Sequence, residues 1–177
     1  MSHFEQKKFV NIVVDELKKN HNFNNFHLIV SGKINDLDFE DSKFLYEITQ
    51  GSPGDAISIY DNEIMNILDI TINCLNKDEL NDNSINLSNL LSKLDNDKFK
   101  NYLSILKSIL ILINKLRNDK IDANANLPRK LRELKNISNN ISFDKVINKL
   151  EFLSKNEKDL FTYSLDKKTF MLNFLTT

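Results

Sequence analysis

Gly51-Ser52-Pro53-Gly54 is the stretch on which the reading of this chain turns. The chain of 177 residues has 3 Gly and 2 Pro, and two of the Gly and one Pro fall in these four positions. Gly accepts positive φ, and Pro fixes φ while removing a backbone donor. Such a cluster marks a specified change of chain direction. Helical patterns flank it, with Phe44, Leu45 and Ile48 before the turn and Ala56, Ile57 and Ile59 after it. Pro53 suits the first turn of the second helix, where its missing N–H is no loss. The expected fold is all-α, a small helical module before the turn and a larger helical bundle after it.

Working upstream, His3 to Lys19 reads as an amphipathic helix with Phe9, Ile12, Val13 and Leu17 at helical spacing. The β-branched run Val10, Ile12, Val13 and Val14 also fits a strand. Asn20 to Asn25 reads as a polar break, with Asn24 or Asn25 capping a short helix through Phe26, Ile29 and Val30 that ends at Gly32. Asp38 is the expected cap of the next helix, with Glu40 and Asp41 in its first turn, where the helix dipole favours acids.

Downstream, a helix from Asp61 or Asn62 carries Ile64, Ile67, Leu68, Thr71 and Leu75 on one face. A polar loop over 76–83 leads to a helix over Ser84 to Leu94. Asp95 or Asn96 caps the strongest pattern: Phe99, Tyr102, Leu103, Leu106, Ile109, Leu110, Ile113 and Leu116, with Ile105, Ile111 and Leu112 on other faces. A helix apolar most of the way round belongs in the centre of a bundle. After a loop over 118–126, Pro128 starts a helix with Leu131 and Leu134. Ser142 caps another, with Phe143, Val146, Ile147, Leu150 and Leu153 inward, running on through Leu160 and Phe161. A last helix from about Leu165 ends in Phe170, Met171, Leu172, Phe174 and Leu175.

Composition narrows the function. Charged residues are 28% of the chain but balance to a net charge of −1, which argues against dedicated nucleic-acid binding. Cys74 is the single cysteine, so there is no internal disulfide and no cysteine cluster for zinc; its apolar neighbours make it a buried small hydrophobe. The first residues mix charged with apolar side chains, unlike a secretory signal, and the apolar run from Ile105 to Leu116 is too short to span a bilayer. A cytoplasmic protein without a membrane segment is expected.

The candidate chemistry is thin. Asp36, Asp38, Glu40 and Glu47 touch the outline of a calcium loop, but Asp41 stands where that loop needs Gly. His3, His21 and His27 have no ligand spacing. Ser52 lacks the preceding strand of a nucleophile elbow. Arg129, Lys130, Arg132 and Lys135, with Glu133 among them, read as a solvated basic face, or alternatively as a phosphate-contacting patch without aromatic residues for stacking. No phosphate-binding loop is present. No catalytic, metal or cofactor residue is expected, and the residues alone suggest a helical interaction module.

Two stretches add a family. Phe44-Leu45-Tyr46-Glu47-Ile48-Thr49-Gln50-Gly51-Ser52-Pro53-Gly54-Asp55-Ala56-Ile57 resembles the end of the lid region in the delta-prime subunit of bacterial DNA polymerase III. Tyr163-Ser164-Leu165-Asp166-Lys167-Lys168, running on to Leu175, is similar to that family's closing helix, which opens Asn-Leu-Asp-Arg-Lys. The resemblance covers about residues 24–177 and implies a helical lid over 24–60 and a collar-type helical domain over 61–177, with residues 1–23 unplaced. It implies a non-catalytic part of the clamp loader, an AAA+ assembly that places the sliding clamp on primed DNA in DNA replication. The implied partners are the ATPase subunit and the delta subunit, with DNA met only indirectly and no small-molecule substrate. The family's ATPase-like module precedes its lid, so the chain corresponds to the C-terminal part. The ATP-binding subunits carry Arg where this chain has Gly54, so nucleotide use through this turn is not expected. Gly51, Ser52, Pro53 and Gly54 are the implied structural turn. Phe170, Met171, Phe174 and Leu175 are the candidate subunit interface, together with Ile109 to Ile113. An exposed patch of that kind would make the isolated chain self-associate, and Gly54→Val is expected to destabilise the junction. The alternatives are an unrelated all-helical scaffold and a small helical nucleic-acid-binding domain using Arg129 to Lys135.

Overall fold

The computed structural model describes residues 22–35, 37–75, 80–118 and 127–177. The expected helix over His3 to Lys19, His3, His21, Asp36 and most of the loops over 76–83 and 118–126 lie outside the described residues. Among the described residues every regular element is a helix: α1 over 22–31, α2 (Phe39–Ile48), α3 (Pro53–Ile59), α4 (Asn62–Leu75), α5 (Asp82–Ser92), α6 (Asn96–Asn118), α7 (Arg129–Asn140), α8 (Phe143–Thr162) and α9 (Lys167–Thr176). The chain forms two compact units that divide between Ser58 and Ile59, two residues before the expected end of the lid.

In the first unit, residues 22–25 are helical, not a polar break. The reason is packing: Phe23, Phe26 and Val30 form a buried stripe at helical spacing, which overrides the weak propensity of the Asn residues. Phe23 and Phe26 meet Tyr46 edge-on, with ring centroids at 5.5 and 5.2 Å. Aromatic pairs of this geometry favour a fixed ring arrangement. The expected boundary at residue 23 therefore falls inside α1. Asp38 caps α2 as expected, accepting from the Asp41 amide at 2.6 Å.

The second unit is a closed cycle of six helices. α4 packs on α5, α5 on α9, α9 on α8, α8 on α6, α6 on α7, and α7 back on α4. Helix α9 thus closes the bundle between α5 and α8. α6 supplies much of the core, burying all eight residues of its expected stripe together with Ile105 and Leu112. It is not enclosed on every side, because Ile111 is exposed. Its Tyr102 hydroxyl lies 3.0 Å from Thr71 Oγ1 of α4, and both side chains are buried. Cys74 is buried as expected.

Burial pushes the Tyr102 phenol well above its usual range. The neutral form belongs to the folded state, so stability is full below about pH 10 and falls as pH rises beyond it. Spectrophotometric titration should show Tyr102 ionising only together with alkaline unfolding. A full complement of tyrosines titrating near pH 10 with the far-ultraviolet circular dichroism intact would contradict this.

Helix starts follow side-chain caps. Asp61 accepts from the Glu63 and Ile64 amides at 2.8 and 3.2 Å. Burial pushes its carboxyl up, but those two amides and the Lys98 ammonium together hold it below its ordinary value. Asp95 caps α6 through the Lys98 amide at 2.8 Å. α5 begins two residues before the expected Ser84, because Asn81 is the cap and Ser84 is its reciprocal partner three residues on. Ser142 caps α8, as expected. Asp166 caps α9, which starts at Lys167 and not at Leu165; the Thr169 hydroxyl and amide hold its carboxyl low.

One inward expectation fails on α8, and one core residue was not expected. Phe143 is 56% exposed, while Lys149 is 2% exposed. Val146, Lys149 and Leu153 share the buried stripe, and Leu150 is only half-buried.

Candidate functional site

The Gly51-Ser52-Pro53-Gly54 turn is built from helix-end chemistry. α2 stops in a Schellman arrangement: the Gly51 amide donates to Tyr46 O at 2.8 Å, and the Gln50 amide to Glu47 O at 3.4 Å. Gln50 occupies the left-handed region at φ 53°, and Gly51 follows at φ 79°. Ser52 Oγ then accepts from the Asp55 amide at 3.3 Å, and Pro53 begins α3. A Cβ at Gly51 would stand 3.0 Å from the Tyr46 ring, whereas one at Gly54 would meet nothing within 4 Å. Only Gly51 is required by the backbone. Gly54 does not ease helix packing, and the expected damage from Gly54→Val has no steric basis.

Phe170, Met171, Phe174 and Leu175 are all buried within the chain's own fold. As candidate interface residues they are corrected: these side chains fill the groove between α5 and α8 and present no apolar patch. Ile109, Leu110, Leu112 and Ile113 are likewise buried, leaving Ile111 exposed in that run. The expected ground for self-association is therefore absent from these faces.

The basic stripe of α7 is not a plain solvated face. Arg129 Nη2 lies 2.9 Å from Asp69 Oδ1 on α4, and Lys130 Nζ lies 3.7 Å from the same oxygen. Arg129 also pairs with Glu133 at 3.4 Å, and Lys135 donates to Leu116 O. Arg132 is exposed. Cations held by carboxylates and carbonyls of their own bundle are poorly placed to neutralise phosphates.

A pattern that helical periodicity does not reveal links the ends of the helices. Lys149 Nζ, on α8, donates to Phe174 O at 2.8 Å and Leu175 O at 3.1 Å, and sits 4.8 Å from the Phe174 ring centroid. Lys167 Nζ, on α9, donates to Leu94 O at 2.6 Å, just past α5. Arg117, on α6, donates to Ser138 O at 3.2 Å and to Ile141 O at the end of α7. Lys135, on α7, returns the contact at the end of α6. Carbonyls at a helix C-terminus have no partner within the helix and carry partial negative charge, so a cation from a neighbour satisfies both needs.

His27 is the one histidine among the described residues. Its Nδ1 lies 2.8 Å from the buried Ser42 Oγ, and its ring stacks on Phe23 with centroids 6.0 Å apart. It joins α1 to α2. A cleft of about 290 Å³ lies between the end of α5, the start of α6 and the turn from α8 to α9. Of its charged lining residues, Asp166 is engaged by Thr169 and Lys167 by Leu94 O. Among the described residues no cluster of three or more His, Cys, Asp or Glu is arranged to hold a metal ion. No helix among them is long and apolar enough to cross a membrane.

No family model, curated protein or solved structure matches the chain.

Proposed function

We propose that this chain is a non-catalytic structural part of a DNA polymerase III clamp loader, with a helical lid followed by a collar-type bundle. The observation that carries this reading is the paired resemblance at Phe44 to Ile57 and at Tyr163 to Leu175. The turn adds support. The position that holds Arg in ATP-binding loader subunits is Gly54, and the space beside it is open. A side chain could leave the backbone there without a clash at its Cβ, so the lack of a phosphate-binding charge at this turn follows from residue identity. The division near residue 58 also suits a lid followed by a collar. On this reading the chain binds the ATPase and delta subunits in the cytoplasm and meets DNA only through the assembly.

The test is assembly. The purified chain is mixed with the ATPase and delta subunits of the same organism and resolved by size exclusion with light scattering. Co-elution at defined stoichiometry is expected. If the partners assemble without the chain, and a full-length delta-prime subunit joins them under the same conditions, the reading fails. An unrelated helical scaffold then becomes the better account.

A further inference from the structure

The α8–α9 turn is the one place in the second unit where the described backbone is held against its preference. Ser164 stands at φ 49° in the left-handed region, which L residues other than Asn or Asp seldom occupy. The Leu165 amide donates to Leu160 O at 2.9 Å, the bond of a Schellman stop. Gly is the usual residue at Ser164's place in that motif. The turn is short and open to solvent: Tyr163 is 69% and Leu165 is 50% exposed. Beyond it lies α9, whose buried face is Phe170, Met171, Phe174 and Leu175. α9 is anchored to α8 by the Lys149 ammonium and to Leu94, just past α5, by Lys167.

We propose that this chain forms a dimer with a second copy of itself by exchanging α9. The Tyr163–Asp166 hinge opens, and α9 of each copy fills the groove between α5 and α8 of the other. The occupant is fixed by the fold: that groove already accepts α9, so the exchanged contacts reproduce the closed ones, including the clasp of Lys149 on the last carbonyls. The surplus favouring exchange is release of Ser164 from the left-handed region. Short strained hinges invite this rearrangement. The inference does not depend on the clamp-loader reading, and it replaces an exposed apolar patch as the source of self-association.

The test compares the full chain with Ser164→Gly and Ser164→Val. Each is held concentrated a few degrees below its melting transition, cooled, and analysed by size exclusion with light scattering before and after dilution. The wild-type chain should give a dimer with unchanged helical circular dichroism that persists for hours after dilution at low temperature, because separation requires α9 to open. Ser164→Gly relaxes the closed turn and should weaken the dimer by about tenfold per hinge, roughly a hundredfold in all. Ser164→Val, whose branched side chain penalises the closed turn further, should strengthen it. A wild-type chain that stays monomeric, a dimer that falls apart within the mixing time, or a dimer indifferent to Ser164→Gly would each overturn the proposal. The wild-type and Gly arms decide even if Ser164→Val does not fold.

Discussion

Lys149→Met is expected to lower the stability of the six-helix bundle by about 2–4 kcal/mol. Met keeps most of the lysine's length and volume, so little cavity forms. What is lost is the ammonium that satisfies Phe174 O and Leu175 O in a buried setting. Each buried acceptor left without a donor costs about 1–3 kcal/mol. Two effects compete. Removing a buried charge relieves its desolvation, and replacing buried ionic groups by apolar ones is sometimes stabilising. Here, however, the partners are backbone carbonyls that remain in place after the substitution, so the penalty stays. Thermal unfolding should move down by on the order of 10 °C for a unit of this size. Hydrogen exchange should place the loss first in α9, because the clasp holds its last turn. A Met variant as stable as the wild type would mean that desolvation of the amine cancels its hydrogen bonds.

Gly51→Ala should cost the first unit about 2–4 kcal/mol, while Gly54→Ala should be neutral or stabilising by up to about 0.5 kcal/mol. The two glycines are three residues apart and look alike in the sequence. At Gly51 a Cβ meets positive φ and a ring packed between Phe23 and Phe26, so neither backbone nor neighbour yields cheaply. At Gly54 the backbone is helical and its surroundings are open, and Ala narrows the unfolded ensemble. Differential thermal melts of the two variants would check the contrast. Equal losses at both positions would mean that the turn is constrained by something other than the Gly51 conformation.

Much of the fold was legible in the residues. The periodicity of α4 and α6 fixed which faces are buried, because a stripe at helical spacing has no other way to leave water. Asp38, Asp61, Asp95, Ser142 and the Gly-Ser-Pro-Gly turn marked helix ends, because capping is local chemistry between residues two to four apart. Where local signals competed, the weaker one misled. The Asn residues around Phe23 suggested a break that packing erased, and Ser84 looked like the start of α5 when it is the reciprocal partner of the Asn81 cap.

The candidate interface failed for a different reason. An apolar helix such as α9 reads the same whether it is buried by its own chain or by a partner, and only the cycle of helix contacts shows that α5 and α8 cover it. The basic side chains make the same point. Lys149, Lys167, Arg117 and Lys135 carry no mark of their partners, which are carbonyls of helix ends 19 to 73 residues away. The sequence by itself determined that the chain is helical, where most helices start and stop, and which stripes are apolar. The tertiary structure alone decided which helix covers which stripe, that a lysine belongs in the core, and that one of two similar glycines is indispensable. Those outcomes depend on groups brought together from distant parts of the chain, and no local pattern encodes them.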